Sequence, residues 1–147
     1  MRLLLVIDAN VIIAAMLRDS TTRRILIGGG IMPVAPRMVV VEIEKHIEEI
    51  SARNSLSVET NRRVLRLLAS RIRLMPPRSY RRFLRTAYEL IGRRDPTDVP
   101  YLAVALAVQA DGIWSHDADF ASQDLFKVYD TRTLKEMFHN HSLESRE

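Results

Sequence analysis

The 147-residue sequence has no cysteine, which removes disulfide frameworks and thiolate metal ligands together. Any metal must then be held by oxygen or imidazole, and no pair of histidines shows zinc-ligand spacing. Long apolar runs are missing too: none approaches the roughly 18–20 residues that span a bilayer. The opening Met1–Ile7 passes straight into Asp8 without a cleavage-type region, so the expectation is a cytoplasmic protein with no membrane partner. Glycine is sparse, and Gly28-Gly29-Gly30 lacks the Gly-Lys-Ser/Thr ending of a phosphate loop, which leaves a helix stop as its reading. Repeats, low-complexity stretches and Pro- or Ser-rich linkers are absent as well. One domain over residues 1–141, with a frayed tail at 142–147, is expected.

What is present is a core-forming composition, 47% hydrophobic and 27% charged, with a net charge of +4. The charge is unevenly spread. Between Arg62 and Arg94 lie eleven arginines and a single acid, Glu89. Arginine forks onto phosphate oxygens, and a basic field attracts polyanions, so nucleic acid is the natural partner class. A solvated helix face explains the same run equally well.

Leu3–Asp8 is a short apolar run ending in a carboxylate, the pattern of a strand buried on both faces. Helices are predicted over Asn10–Leu17 and from Ser20 to Leu26, then a strand at Ile31–Ala35. Pro36 opens a longer helix, whose apolar positions Val39, Val40, Ile43, Ile47 and Ile50 recur every three or four residues. Further on come a helix from Ser57 to Ala69, a strand at Ile72–Met75, a basic helix at Tyr80–Ile91 and an apolar one from Asp95-Pro96 to Ala110. Strands at Gly112–His116 and Lys127–Tyr129 follow, and Thr133-Leu134-Lys135-Glu136 spells a capping box for the last helix. Strands alternating with helices predict an α/β fold around a parallel sheet.

In such sheets ligands gather beyond the carboxyl ends of the strands, where Asp8 and Asp117 are both expected. Asp98, at the start of the helix that leads into the strand of Asp117, and Glu42, in the early turns of a helix that follows a strand, can reach the same edge. Carboxylates brought this close raise one another's pKa unless a cation neutralises them, and all-oxygen ligands suit Mg²⁺ or Mn²⁺. Each acid also has a plainer role open to it: Asp8, Asp95 and Asp98 as helix caps, Glu42 as a partner of Lys45, Asp117 and Asp119 as turn formers. His46, one turn past Glu42, is either a supporting group or solvated surface. Tyr80, Phe83, Tyr88 and Tyr101 are candidates for base stacking, although helical spacing favours packing.

The order of these pieces resembles the PIN-domain family. The matching segments are Val6-Ile7-Asp8-Ala9-Asn10-Val11-Ile12, Val40-Val41-Glu42-Ile43, the stretch from Asp95-Pro96-Thr97-Asp98 to Ala105, and Ile113-Trp114-Ser115-His116-Asp117-Ala118-Asp119-Phe120. The resemblance covers nearly the whole chain. It implies a three-layer α/β/α sandwich with a mostly parallel central sheet and a metal-dependent endoribonuclease that hydrolyses phosphodiesters with activated water. Asp8, Glu42, Asp98 and Asp117 match the catalytic acids, and these four with Asp119 match the carboxylates for one or two Mg²⁺ or Mn²⁺ ions. Asn10, Ser115 and Asp95 are the implied supporting groups, with Ser115 where the family often has threonine. Arg78, Arg81, Arg82 and Arg85 are then candidates to hold the backbone of RNA, which is expected to be single-stranded. Many small stand-alone members of the family, prokaryotic or archaeal, are toxins of toxin–antitoxin pairs, so an antitoxin protein and a homodimer, with the last helix contributing apolar surface, are implied partners. The competing readings are a non-catalytic RNA- or protein-binding module that keeps the fold, and aspartyl phosphotransfer, which the Asp8-Ala9-Asn10 start fits poorly.

Overall fold

The computed structural model describes residues 2–17 and 20–144, with side chains described for 2–17 and 21–139. The chain starts with β1 (Leu3–Ile7), where Leu5, Val6 and Ile7 are fully buried. Each such side chain withdrawn from water contributes about 1.5–3 kcal/mol. Helices α1 (Ala9–Met16) and α2 (Ser20–Ile27) follow, and α2 stops before Gly29, which takes a left-handed φ of 84° that only glycine adopts freely. Next come β2 (Ile31–Pro36), α3 (Met38–Lys45), α4 (Ile47–Asn54), α5 (Val58–Ala69) and β3 (Arg73–Met75). The second half holds α6 (Pro77–Tyr80), α7 (Leu84–Ile91), α8 (Val99–Val108), β4 (Gly112–Trp114), β5 (Lys127–Tyr129) and α9 (Thr131–Glu144).

Among the described residues the strands form one five-stranded sheet in the order β3-β2-β1-β4-β5, and every pairing is parallel. The chain first winds outward from β1 through β2 to β3. It then crosses back through α8, which packs on β1 and β2, to reach β4 on the other side of β1. Right-handed crossovers in opposite directions place helices on opposite faces, which yields the expected α/β/α sandwich. They also create a switch point between β1 and β4, where a crevice opens beyond the strand ends. Helix α8 is apolar on all sides, with Val99 and the run Tyr101–Ala105 buried, because it lies between the sheet and α6 and α7.

Several boundaries differ from expectation for identifiable reasons. Pro36 ends β2 rather than opening a helix; its φ suits either state, and it pairs with Met75 in the sheet. The helix predicted through Ile50 is two helices, because His46 leaves helical geometry at φ −105°, ψ 11°. Ile43, Ile47 and Ile50 are buried on both sides of that break, so the apolar period survived while the axis did not. The basic helix starts earlier, at Pro77, and is interrupted by a 3₁₀ turn at Arg81–Phe83. The last helix starts at Thr131, where Asp130 Oδ1 accepts from Thr133 N at 2.8 Å; the Thr133–Glu136 box is therefore not its cap. Ser57 does cap α5, accepting from Thr60 N at 3.0 Å. The tail expected at 142–147 falls on residues whose side chains, and past Glu144 whose backbone, lie outside the described residues.

Candidate metal centre

Each candidate acid is carried to the carboxyl edge of the sheet by a different piece of chain. Asp8 directly follows β1 and occupies the N-cap position of α1. Its side chain makes no cap bond there; Oδ2 accepts instead from Ser115 Oγ at 2.8 Å. Ser115 follows β4 and also accepts from Asp117 N at 2.9 Å, so one hydroxyl ties the ends of β1 and β4 together across the switch point. Asp117 caps a 3₁₀ turn at Ala118–Ser122, its Oδ1 accepting from Asp119 N at 2.9 Å.

Asp95 caps a second 3₁₀ turn, Pro96–Asp98, accepting from Thr97 N at 2.9 Å and from the Thr97 hydroxyl at 2.6 Å. Asp98 ends that turn and makes no cap bond at α8. Capping therefore accounts for Asp95 and Asp117 in part, since each bond uses one oxygen, but not for Asp98. Asp98 is 4% exposed, and its Oδ2 is a buried oxygen without a hydrogen-bond partner. An orphaned carboxylate oxygen at this depth is costly in the absence of a cation.

The acids share one cleft of about 390 Å³, lined by Asp8, Asn10, Glu42, Asp95, Asp98 and Asp117 among others. One carboxylate oxygen from each of Asp95, Asp98 and Asp117, and one from Asp119, which does not itself line the cleft, lie within 4.8 Å of one another. Asp8 and Glu42 are not members of this tight group, and Asp95, expected only as support, is. Glu42 reaches the cleft from α3, where its Oε2 accepts from the Tyr101 hydroxyl at 2.9 Å. A Glu42–Lys45 ion pair is not among those of the described residues. Asn10 lines the cleft beside Asp8.

The electrostatics follow from the crowding. Burial pushes the Asp98 carboxyl up to about 8, helped by the neighbouring Asp117, which is close enough to share its proton, and by the charges of Asp95 and Asp8. Asp8 is also raised, by burial first, with the Ser115 hydroxyl working in the opposite direction. Oxygen-only donors, a buried orphan oxygen and the raised carboxyls of Asp98 and Asp8 together fit a hard divalent cation.

Among the polar residues of the cleft lining, Lys45 and Thr97 lie outside the site expected from the sequence. His46, weighed as a supporting group, also lines the cleft, with its Nδ1 3.5 Å from Glu49. Lys45 ends α3 and His46 forms the break after it, and no local sequence signal marks such a break. Arg78, Arg81, Arg82 and Arg85 are exposed and do not line the cleft. They lie on α6, the 3₁₀ turn after it and α7, and α7 contacts both acid-bearing 3₁₀ turns. Tyr80 and Tyr101 are 3% and 2% exposed, so neither can stack on a base; packing against α8 and the sheet took precedence. Tyr88 is exposed.

A fold with a switch-point crevice full of carboxylates defines a class of acidic α/β domains. The model of the PIN domain family matches residues 6–139, and the chain belongs to that family. A chain of VapBC2 from Rickettsia felis, in a crystal structure with a DNA fragment from their promoter, has the same fold. It superposes with a TM-score of 0.63 at 16% identity, over 86% of this chain and 98% of that one. No curated protein matches the sequence. Among the described residues no helix is long and apolar enough to cross a membrane.

Proposed function

We propose that the chain is a divalent-metal-dependent endoribonuclease that hydrolyses RNA phosphodiesters in the carboxylate cleft. The observation that carries this reading is Asp98: it has a buried oxygen without a partner, and its carboxylate offers an oxygen within 4.8 Å of three others, which supports a cation there. Asp95, Asp98, Asp117 and Asp119 would hold Mg²⁺ or Mn²⁺, with Asp8 and Glu42 on the same cleft wall as the remaining carboxylates. What the bound ion supplies is a lowered pKa for cleft water and screening of the phosphate charge.

The chain's own residues do the rest. Ser115 holds Asp8 in place through the 2.8 Å hydrogen bond, so that its other oxygen stays available to the cleft. Lys45 places positive charge in the cleft lining, where an incoming phosphate meets a field otherwise set by carboxylates, and His46 beside it offers a ring nitrogen for hydrogen bonding. Arg78, Arg81, Arg82 and Arg85 would hold the RNA backbone outside the cleft, contacts that position without reading sequence. A water oxygen then adds to phosphorus as it gives up a proton, one P–O ester bond breaks, and the departing oxygen takes up a proton to become a hydroxyl. The products are a phosphate monoester and a free hydroxyl end.

The likeness to a chain of VapBC2 bound to promoter DNA supports a protein partner for this chain. We therefore read it as the toxin of a toxin–antitoxin pair, acting in the cytoplasm on single-stranded RNA. A homodimer fits the exposed apolar residues Val41 and Leu67, at 59% and 69%, better than it fits α9. On the described part of α9, Leu134 is buried and Met137 and Phe138 are half-buried against the domain itself.

The test is cleavage of a labelled single-stranded RNA panel by wild type and Asp98→Asn with Mg²⁺, Mn²⁺ or EDTA. Metal-dependent cleavage that falls at least ~100-fold in the variant is expected. Cleavage that survives EDTA, or that Asp98→Asn retains, would sink the assignment. No cleavage by either protein, with no metal bound, would leave a non-catalytic RNA- or protein-binding module.

A further inference from the structure

Glu42 stands outside the tight aspartate group, yet it lines the same cleft. It comes from α3, on a long side chain with three rotatable bonds, and it is only half-buried. Left to itself, such a carboxylate would sample several rotamers and present no fixed ligand atom. One bond restricts it: the Tyr101 hydroxyl donates to Oε2 at 2.9 Å.

Tyr101 is well placed to be rigid. It sits on α8 three residues past Asp98, is 2% exposed, and has its ring packed in the core between sheet and helices. A core position of this kind needs only a ring, and phenylalanine would fill it without placing a buried hydroxyl. The hydroxyl is tolerable there because it has a partner, and that partner is an acid of the cleft.

We propose that Tyr101 is a positioning residue of the metal centre, whose hydroxyl fixes the Glu42 carboxylate by one oxygen and leaves the other for the cation. The assignment rests on the metal-dependent reading above and extends it from the ligands to the group that orients one of them. Partners of this kind typically carry 10–100-fold of metal affinity.

The experiment is Mn²⁺ titration, read as free-ion EPR signal, of wild type, Tyr101→Phe, Glu42→Gln and the double variant, with urea midpoints as a check on folding. Tyr101→Phe should weaken Mn²⁺ binding about tenfold or more, and Glu42→Gln at least as much. The double variant should be no weaker than Glu42→Gln alone, because the hydroxyl acts only through that carboxylate. Wild-type affinity in Tyr101→Phe, or losses that add fully in the double variant, overturns the proposal while the metal reading stands. No Mn²⁺ binding by wild type overturns the metal reading itself and this proposal with it.

A second measurement does not depend on a variant that has lost the hydroxyl. With 3-fluorotyrosine placed at position 101, the ¹⁹F resonance should move on saturation with Mg²⁺, and that movement should vanish when Glu42→Gln is added. An unmoved resonance in a protein that binds Mg²⁺ also overturns the proposal.

Discussion

Asp98 carries the largest carboxyl perturbation in the cleft, and its consequence is a pH dependence of stability. Its carboxyl is pushed up to about 8 in the fold, against the ordinary aspartate value of 3.8 that holds in the unfolded chain. Between these values the folded state keeps a proton that the unfolded state has released. The stability it contributes is complete at low pH and is lost as pH rises toward 8. Asp8, raised in the same direction, adds to the trend. The metal-free protein in EDTA should thus lose stability, on the order of a few kcal/mol, between about pH 5 and pH 8. Asp98→Asn keeps the volume and removes the ionisation, so its urea midpoint should exceed that of wild type at pH 8 and vary less with pH. Equal slopes in the two proteins would place the pH dependence elsewhere. The acids could be anticipated from sequence because a carboxylate ending an apolar strand, or an Asp-x-x-Asp at a helix start, is a local pattern. The Tyr101–Glu42 bond could not be, since its partners are 59 residues apart and only the crossover of α8 brings them together.

At the scale of elements, hydrophobic period predicted which segments are helices but not where their axes break or begin. Val39, Ile43, Ile47 and Ile50 all face the core, and the same list fits one long helix or two short ones meeting at His46. The start of α9 shows the same limit. Thr133 and Glu136 match a capping box, but Asp130 lies one residue before the helix and its carboxylate takes the Thr133 amide at 2.8 Å. That amide is one of the orphan donors every helix start must satisfy. Asp130→Ala should consequently lower stability by about 0.5–2 kcal/mol, whereas Thr133→Ala should cost a few tenths at most. Urea denaturation of the two variants at neutral pH separates the alternatives, and the reverse order would restore Thr133 as the cap.

For the whole molecule, alternation of strands and helices was enough to foresee a parallel sheet, because parallel strands require crossovers and crossovers have one hand. The order β3-β2-β1-β4-β5 has no local signature, and it is this order that brings Asp8 and Asp117 to one crevice. Charge is divided on the same plan: a carboxylate cleft at the switch point, and beside it a ridge with Arg78, Arg81, Arg82 and Arg85 exposed. Arg82 lies over the Phe83 ring at 5.0 Å, and the Arg85–Glu89 pair, 3.6 Å apart and largely exposed, is weak enough to yield to a phosphate. If the ridge holds RNA, each contact releases condensed counterions, and binding falls with salt at about 0.7 log units per log unit of salt for each phosphate neutralised on a single strand. Replacing all four arginines by alanine should weaken binding and flatten that slope by up to roughly 3, with little dependence on RNA sequence. Fluorescence anisotropy in the Asp98→Asn background measures this without cleavage, and Arg24→Ala, on α2 where it runs to the opposite edge of the sheet, is the matched control. A slope unchanged by the four substitutions would make these arginines a solvated face, and Lys45 in the cleft lining would then be the cation to test against the phosphate.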